Sequence, residues 1–415
     1  MKNLKLVFTL FIGIILCIHM GNVFAQALDH PEYANSIAVG LLLLALIPKA
    51  KGVLAVEISP DISAIARFAF ANKIKLLKRY YNSLSIASDI TLMLNIKNSL
   101  PLPMLVINGQ PRPYDGKFSA TPGDISYTDR QLDMDDFQRD IQINPSLYRP
   151  TYLAYERGPG EGIKNNKIPF AEFTVQGAID QNAAQLNNKT AFFGLGKAAF
   201  ETFNPATAYL TGKRVKALNA EGIAHYYTCK IGTAAGETPY SHPLKWELSD
   251  ALAVAEGLGT KIKKERASGL IKNVSSTGII TKEDAFEQAL SVYRGLPEEV
   301  KDNRKDIYLY VSSNTIDKIS DSFKDYIKKY TDADGVLTVL PRTEGICKLK
   351  KATWMNGSDI MLASPKANLY MGTDLLSDLQ DLRTIEQMYH LDMSLKGVLG
   401  FQFGDEQAIS INDQN

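Results

Sequence analysis

A segment rich in proline and glycine limits what the first half of this sequence can form. Residues 101–123 carry five prolines and three glycines, and Asn108-Gly109 is a dipeptide typical of tight hairpin turns. In the stretch that follows, apolar residues are interspersed among polar ones, a pattern typical of strands with one solvent-exposed face. These apolar residues are Tyr127, Leu132, Phe137, Ile141 and Ile143. We therefore predict a long, exposed β-hairpin, followed by a strand that enters the body of the fold.

The next segment has the spacing of a long helix. Ile168-Pro169-Phe170 opens it, with Pro169 well placed in a first helical turn. One side carries Val175, Ile179, Asn182 and Leu186, whereas the opposite side is rich in amides, namely Gln176, Gln181, Gln185 and Asn188. We predict a helix of over 20 residues that lies as a strut across a sheet and ends at Gly194 and Gly196.

The second half of the chain alternates helix and strand patterns. We predict a helix around 250–266 and another from Thr281, which forms a capping box with Asp284 and stops at Gly295. Residues 307–312 predict a strand, and Asn314 is expected to cap a helix with the apolar face Ile316, Ile319, Phe323 and Ile327. Further strands are expected at 336–340, 360–363, 368–371 and within 390–410. This order indicates an α/β domain.

Composition excludes several classes of protein. The 415 residues suggest two or three domains, or one elaborated domain. With 46 Lys and Arg against 45 Asp and Glu, the net charge of +1 argues against an acidic tail protein and a dedicated nucleic-acid binder. The three cysteines, Cys17, Cys229 and Cys347, cannot form a disulfide framework. The fold must therefore be stabilised by hydrophobic packing.

The N-terminus differs from the rest of the chain. Residues 1–26 have the charged start, apolar run and Val23-Phe24-Ala25 cleavage pattern of a secretory signal, although a start codon placed too far upstream would also explain them. The apolar run 37–47 is too short to span a bilayer. Residues 61–92 indicate a helix with one basic face, which suits either a packed helix with a solvated side or a membrane-surface helix.

Motifs that carry chemistry are missing from the sequence. It has no phosphate-binding loop, zinc-protease helix, nucleophile elbow or EF-hand loop. The glycine pairs 194/196 and 257/259 are interpreted as helix ends, and His225 beside Tyr226, Tyr227 and Cys229 as part of a packed strand. The acidic pair 298/299 suits a helix N-terminus, and Asp133, Asp135, Asp136 and Asp140 suit a solvated strand better than a calcium site. We predict no catalytic, cofactor-binding or metal-ligating residues, no cofactor and no enzymatic activity.

The order of the predicted elements resembles that of a known family. Four stretches carry the resemblance: 123–154, 169–194, 358–382 with its SPKANLYMGTD string, and 389–410. They resemble the major capsid proteins of tailed bacteriophages, whose Hong Kong ninety-seven fold is shared with encapsulins and herpesvirus capsid floors. The tail is similar in particular to capsid proteins of Bacteroidota phages and prophages.

The resemblance implies an α+β fold with an N-terminal arm, an extended β-hairpin loop, a peripheral domain with a long spine helix, and an α/β axial domain. The implied segments are a signal-like 1–26, a hydrophobic and basic arm 27–100, an extended loop 101–135, a peripheral domain 136–204, an axial domain 205–335, and returning strands 336–415. The implied function is self-assembly, through pentamers and hexamers, into an icosahedral shell around DNA. Scaffolding protein, portal and double-stranded DNA bound without sequence specificity are further implied partners, and Lys117 would lie in the loop that some relatives cross-link.

The signal-like segment conflicts with that resemblance, because a shell protein assembles in the host cytoplasm and ends in the virion. Either residues 1–92 include an over-extended or fused reading frame, with Met93 or Met104 as alternative starts, or the chain is a secreted or periplasmic α/β binding protein or enzyme of unrecognised type. An encapsulin-like nanocompartment shell is a third hypothesis. Cys229 and Cys347 would meet oxidising conditions and could pair in the exported protein, whereas a shell protein would keep them reduced.

Overall fold

The computed structural model describes part of the chain, namely residues 75–76, 83–107, 113, 116, 125–144, 170–303, 306–323, 337–374, 383–387 and 390–414. Several predicted features lie outside these residues: the signal-like 1–26, the apolar run 37–47, Asn108-Gly109 and Lys117. No helix within the described ranges is both long enough and apolar enough to cross a bilayer.

Helices and strands alternate along the described chain. The helices are α1 (Ser85–Asp89), α2 (Phe170–Gln185), α3 (Asp250–Ala253), α4 (Leu258–Ala267), α5 (Ala285–Arg294), α6 (Glu298–Asn303) and α7 (Ser313–Ser322). The strands are β1 (Thr91–Leu94), β2 (Ser99–Ile107), β3 (Ile125–Asp133), β4 (Asp135–Ile143), β5 (Glu201–Thr202), β6 (Arg214–Leu218), β7 (Ala224–Cys229), β8 (Trp246–Leu248), β9 (Val274–Ser275), β10 (Ile307–Val311), β11 (Cys347–Lys351), β12 (Leu362–Pro365), β13 (Leu369–Thr373), β14 (Arg383–Glu386), β15 (Leu391–Phe403) and β16 (Ser410–Asn412). This mixture confirms the α+β fold class.

The long strand β15 organises the first sheet. It pairs antiparallel with β13, β14 and β4, and β1 adds to β13 in parallel. Along β15 the buried side chains recur at every second position, as expected of a strand with one face in the core: Leu391, Met393, Leu395, Leu399, Phe401 and Phe403. The strand predicted to enter the body is β4, which runs along the first nine residues of β15, so this prediction is confirmed.

A second sheet has the strand order β11-β10-β12-β16-β9 and carries α5 and α7. Four of the five β10 residues are fully buried, which explains its continuous apolar and aromatic sequence. The predicted α5 face of Phe286, Ala289, Leu290 and Tyr293 packs into the same hydrophobic cluster as β10, so both predictions are confirmed. The small third sheet, β5-β6-β7-β8, has a separate cluster around Tyr209, Val215, Cys229 and Trp246.

The prediction of a long helix with one buried stripe is confirmed, whereas its position across a sheet stays a prediction. Helix α2 continues as one wider π-helical segment, Leu186–Thr190, so the helical backbone runs for 21 residues from 170 to 190. The predicted stripe of Val175, Ile179, Asn182 and Leu186 is buried. The chain turns away at Gly194, where a Cβ would overlap the carbonyl oxygen of Ala255, so this position requires glycine.

Leu84, Ile86, Asp89 and Ile90 are buried, and residues 91–94 form a strand, which corrects the C-terminal end of the helix expected over 61–92. Helix α1 ends at Asp89 and is followed by a strand, β1, because the β1 backbone pairs with β13. Asp89 is only 5% exposed; its carboxylate accepts a hydrogen bond from Trp354 Nε1 at 2.9 Å and pairs with Lys350 Nζ at 2.9 Å. A start at Met93 or Met104 would remove this carboxylate and leave the Trp354 N–H without this acceptor.

Several helix boundaries differ from the sequence predictions. The predicted helix 250–266 is two helices, since at Gly257 the backbone passes so close to Thr190 and Phe192 that a Cβ would clash. Helix α5 begins four residues after Thr281, whose hydroxyl donates to the Asp284 carboxylate at 3.2 Å instead of capping the helix.

Three further boundaries differ from the predictions. Helix α7 is capped by Ser312, which accepts a hydrogen bond from Thr315 N, and not by Asn314. The strand expected at 336–340 is reduced to short bridges, such as the one between Val339 and Lys348. The strand expected at 360–363 is shifted to β12, because its register is set by pairing with β10.

We expect Ala178→Pro to destabilise α2. Proline removes a backbone donor and clashes with the preceding turn, which costs about 3 kcal/mol in a helix interior. Urea unfolding followed by circular dichroism measures the loss. Gly177→Ala is the matched control, because a Cβ at Gly177 meets no atom within 4 Å, so it should gain about 0.5–1 kcal/mol. An unchanged midpoint for Ala178→Pro would contradict a continuous helix here.

We expect Asp89→Ala to destabilise the protein by about 1–3 kcal/mol, because the fully buried Trp354 N–H loses its acceptor. The effect should shrink when Trp354→Phe is already present, and urea unfolding of the two single variants and the double variant measures this coupling. Asp306→Ala, which breaks the exposed ion pair with Lys348, is the control and should change stability little. Equal costs for the two aspartate variants would refute the importance of the buried contact.

Candidate functional site

The β2–β3 hairpin is a two-stranded sheet of its own. Nine residues of each strand pair antiparallel, from Ser99 opposite Asp133 to Ile107 opposite Ile125. The structure thus confirms the predicted hairpin, with strands that begin before residue 101 and resume at 125. No third strand joins it among the described residues.

Two prolines leave the outer edge of β2 unable to donate hydrogen bonds near its base. Pro101 lies opposite Gln131, and Pro103 lies opposite Asp129. The Gln131 carbonyl accepts from Gln402 Nε2 at 2.8 Å, on the side away from β2. Prolines are tolerated in strands at such unpaired edges, and they prevent a further strand from adding there.

The base of the hairpin, which we call the hairpin root, is anchored by a small hydrophobic cluster. Ile96, Leu102 and Leu132 are buried, and Tyr370 of β13 packs against them. The Met134 N–H donates to the Asn98 carbonyl at 2.9 Å and closes the root. Beside this cluster, Pro101, Pro103, Asp129 and Gln131 are exposed.

Two facing glycines let the chain cross the first sheet at the root. Gly372 of β13 and Gly400 of β15 are paired in register. A Cβ at Gly400 would overlap the Asp133 carbonyl oxygen, whereas a Cβ at Gly372 would meet the Met134 side chain, with Sδ at 2.6 Å. The turn from β3 to β4 therefore lies directly on the sheet, and its position is fixed by these glycines.

Arg130 fixes the orientation of the hairpin. Its guanidinium binds Glu265 of α4 at 2.6 Å and Glu406, in the connection from β15 to β16, at 2.7 Å. It also lies over the Phe403 ring, with 4.6 Å from Cζ to the centroid. Burial lowers the pKa of Arg130, but the hydrogen bonds and charges of Glu265 and Glu406 outweigh it and raise the pKa, so the guanidinium stays charged.

Charges of both signs surround the root. Burial lowers the pKa of the Lys261 ammonium, although Glu256 and Asp133 oppose this effect. Burial also raises the pKa of the Asp135 carboxyl, against the attraction of Lys197 and Lys261. In both groups the effect of burial on the pKa therefore exceeds the attraction of the opposite charges.

The chain was compared with known proteins at three levels. No family model and no curated protein matches it. Among solved structures it is similar to a chain of the satellite phage P4 procapsid that includes the size determination (Sid) protein, with 12% identity and a TM-score of 0.44, covering 81% of this chain and 97% of that chain.

Two further similar structures are also of phage or capsid origin. The capsid of the empty GTA particle has 11% identity and a TM-score of 0.38, over 80% of this chain and 89% of that chain. Gordonia phage Cozz has 8% identity and a TM-score of 0.40, over 79% of this chain and 85% of that chain. These are remote likenesses of fold.

The residues weighed as sites from the sequence are dispersed in the structure. Asp135, Asp136 and Asp140 lie along β4, and the described residues contain no group of three or more metal-ligating side chains. His225 lies in strand β7, as interpreted, and its Nδ1 is 2.8 Å from Asp250 Oδ2. The acidic pair 298/299 starts α6, also as interpreted.

The two described cysteines are free and buried, in different sheets. Cys229 belongs to the cluster of the third sheet, and Cys347 to the cluster of the second. The pairing considered for an exported protein is therefore not formed. Burial raises the pKa of the Cys347 thiol to about 12, which keeps it protonated and unreactive.

Sequence reasoning missed the groups that hold the root. Arg130 is one basic residue in a polar stretch, and its partners are 135 and 276 residues away in the sequence. One weak sequence signal for the crossing was available, namely Gly400 among the apolar residues of β15. A glycine inside such a strand indicates a close backbone approach, and this signal could have located the crossing.

We expect Gly400→Ala to loosen the hairpin root, because the added methyl group overlaps a backbone carbonyl that cannot move alone. Overpacking of this kind costs about 1–3 kcal/mol. Urea unfolding measures the loss, and hydrogen exchange at the Met134 amide should accelerate. Gly372→Ala is the matched control and should cost less, since Met134 is a flexible side chain. A larger loss for Gly372→Ala would contradict the proposed crossing.

Proposed function

We propose that this chain is a structural protein that self-assembles into an icosahedral phage capsid shell enclosing DNA. The single observation that carries the proposal is the β2–β3 hairpin, whose root is fixed and whose outer part pairs only with itself among the described residues. The remote likeness to phage capsid structures is compatible with this proposal.

The hairpin is anchored to its own chain at the root, whereas no third strand pairs with its outer part among the described residues. An isolated two-stranded sheet is at best marginally stable in water, and it needs a third strand or a surface to pack against. The pairs from Met104–Thr128 to Ile107–Ile125 lie beyond the buried root. A second copy of the chain supplies such a surface wherever subunits repeat, so the hairpin is well suited to join neighbouring subunits.

Joining by an arm is a head-to-tail contact, because the hairpin of one subunit lies on a different surface of the next. Contacts of this kind close into rings when the rotation allows it. We propose pentamers and hexamers as these rings, with 101–135 as the extended loop, 136–204 as the peripheral domain, 205–335 as the axial domain and 336–415 as returning strands. The likeness to Bacteroidota phage capsid proteins belongs to the same proposal.

The remaining parts of the proposal follow from a structural role. The subunit is not an enzyme, and it acts in the virion after assembly in the host cytoplasm. Scaffolding protein, portal and packaged double-stranded DNA are its further partners. With a net charge of +1 per subunit, the shell would bind DNA weakly. Strong binding depends on the release of counterions from DNA when basic side chains neutralise its phosphates.

The test is a shortened hairpin in the full chain. Replacing 105–127 with Asn-Gly joins Met104 to Thr128 by a tight turn and keeps the six pairs from Ser99–Asp133 to Met104–Thr128. We expect a subunit with an unchanged urea midpoint that no longer forms closed particles by electron microscopy, while the wild-type chain does. Normal particles from the shortened chain would overturn the role of the hairpin.

A further inference from the structure

The connection from β15 to β16, residues 404–409, is held by side chains from outside it, and we call it the Glu406 connection. Asn368, which is 3% exposed, lies in the turn between β12 and β13. Its Oδ1 accepts a hydrogen bond from the Asp405 N–H at 2.7 Å, and its Nδ2 donates to the Asp405 carbonyl at 2.9 Å. The Asn368 carbonyl accepts from the Gly404 N–H at 2.9 Å. One buried asparagine thus fixes the backbone on the N-terminal side of Glu406.

Asn273 holds the same connection on the C-terminal side of Glu406. It directly precedes β9, and its Nδ2 donates to the carbonyls of Gln407 and Ile409 at 2.9 and 3.2 Å. Ala408 and Ile409 are fully buried. The backbone is therefore fixed to the body of the fold on both sides of Glu406.

Glu406 is the residue that this fixed connection presents to the hairpin. Its Oε2 lies 2.7 Å from Arg130 Nη2, and both side chains are largely buried. An ion pair between mobile groups loses part of its energy to the ordering of those groups. That loss is smaller here, because the backbone that carries Glu406 is already fixed.

We propose that Asn368 and Asn273 are positioning residues for the β2–β3 hairpin. They act through Glu406, whose carboxylate pairs with Arg130 and so helps to set the direction in which the hairpin leaves the body. Among the described residues, neither asparagine side chain hydrogen-bonds to the hairpin itself. Their effect on the hairpin therefore has to pass through the Glu406 connection.

The second carboxylate on Arg130 decides what happens when the Glu406 connection loosens. Glu265 of α4 binds the guanidinium at 2.6 Å through the other terminal nitrogen. Two contacts on different elements fix the direction of the guanidinium, whereas a single contact lets it turn about the remaining partner. The expected result is a wider range of hairpin directions in a subunit that still folds.

Distances between two spin labels, measured by double electron–electron resonance, report this direction in the full-length chain. One label is attached at Asp129→Cys in the hairpin and the other at Lys396→Cys in β15, where both native side chains are exposed. Cys229 and Cys347 are buried and should not be labelled. The width of the distance distribution then measures how well the direction of the hairpin is fixed.

Asn368→Ala should widen this distribution at least twofold, and Asn273→Ala should independently do the same. Asn219→Ala is the matched control and should leave the width unchanged, because Asn219 Oδ1 accepts from the N–H groups of Glu221 and Ile223 within the β6–β7 turn. If Asn368→Ala does not fold, Asn273→Ala decides, since Asn273 is only partly buried.

A double-mutant cycle separates positioning from a general loss of stability. Glu406→Ala alone should widen the distribution as Asn368→Ala does, and Asn368→Ala should add no further width once Glu406→Ala is present. An unchanged width in either folded asparagine variant overturns the inference. An effect of Asn368→Ala that is equally large in the Glu406→Ala chain overturns it too.

The consequence for assembly rests on the proposed function. A subunit whose hairpin spends less time in the binding direction binds its neighbours more weakly in proportion. Both asparagine variants should therefore form closed particles only at a protein concentration at least threefold higher than the wild-type chain, whereas Asn219→Ala should not differ from it. If the wild-type chain makes no particles, the proposed function fails, and the spin-label distances still decide whether the two asparagines position the hairpin.

Discussion

The buried carboxylate of Asp89 is the interaction on which the described core most depends. It lies at the end of α1 and accepts from the indole of Trp354, while the neighbouring Asp89 carbonyl accepts from the Tyr310 hydroxyl at 2.8 Å. Tyr310 and Trp354 belong to the second sheet and its connection, and β1 continues from α1 into the first sheet. A buried charge is tolerated only when its hydrogen bonds are satisfied, so these partners must be correctly placed together. The two sheets are thereby held in one arrangement.

That fixed core gives the hairpin a rigid base. The glycine crossing at Gly400 sets where the chain leaves the sheet, and the Arg130 pairs with Glu265 and Glu406 set the direction in which it leaves. Each of these contacts is local to the root, whereas no third strand pairs with the outer part of the hairpin among the described residues.

The spacing of apolar residues correctly predicted the helices that bury the side chains of one face. The stripe of α2 and the face of α5 were correct because side chains at every third and fourth position meet the core in any packed helix. Helix caps were less predictable. Asn314 is a good capping residue, but Ser312, which directly follows β10, caps the helix two residues earlier. Gly257 interrupts a helical pattern because Thr190 and Phe192 lie against it. At Gly257 a tertiary contact overrides a local preference.

The sequence by itself determined the α+β class, the hairpin, the long helix α2 and the lack of familiar catalytic motifs, since these depend on residue spacing and turn chemistry within short windows. Only the tertiary structure decided that residues 91–94 form a strand, that Arg130 meets Glu265 and Glu406, and that Asn368 holds the connection that carries Glu406. Those contacts join residues that are far apart in the chain, such as the 265 between Asp89 and Trp354. Local pattern carries no information about such pairs, because their proximity is set by the packing of whole sheets and helices.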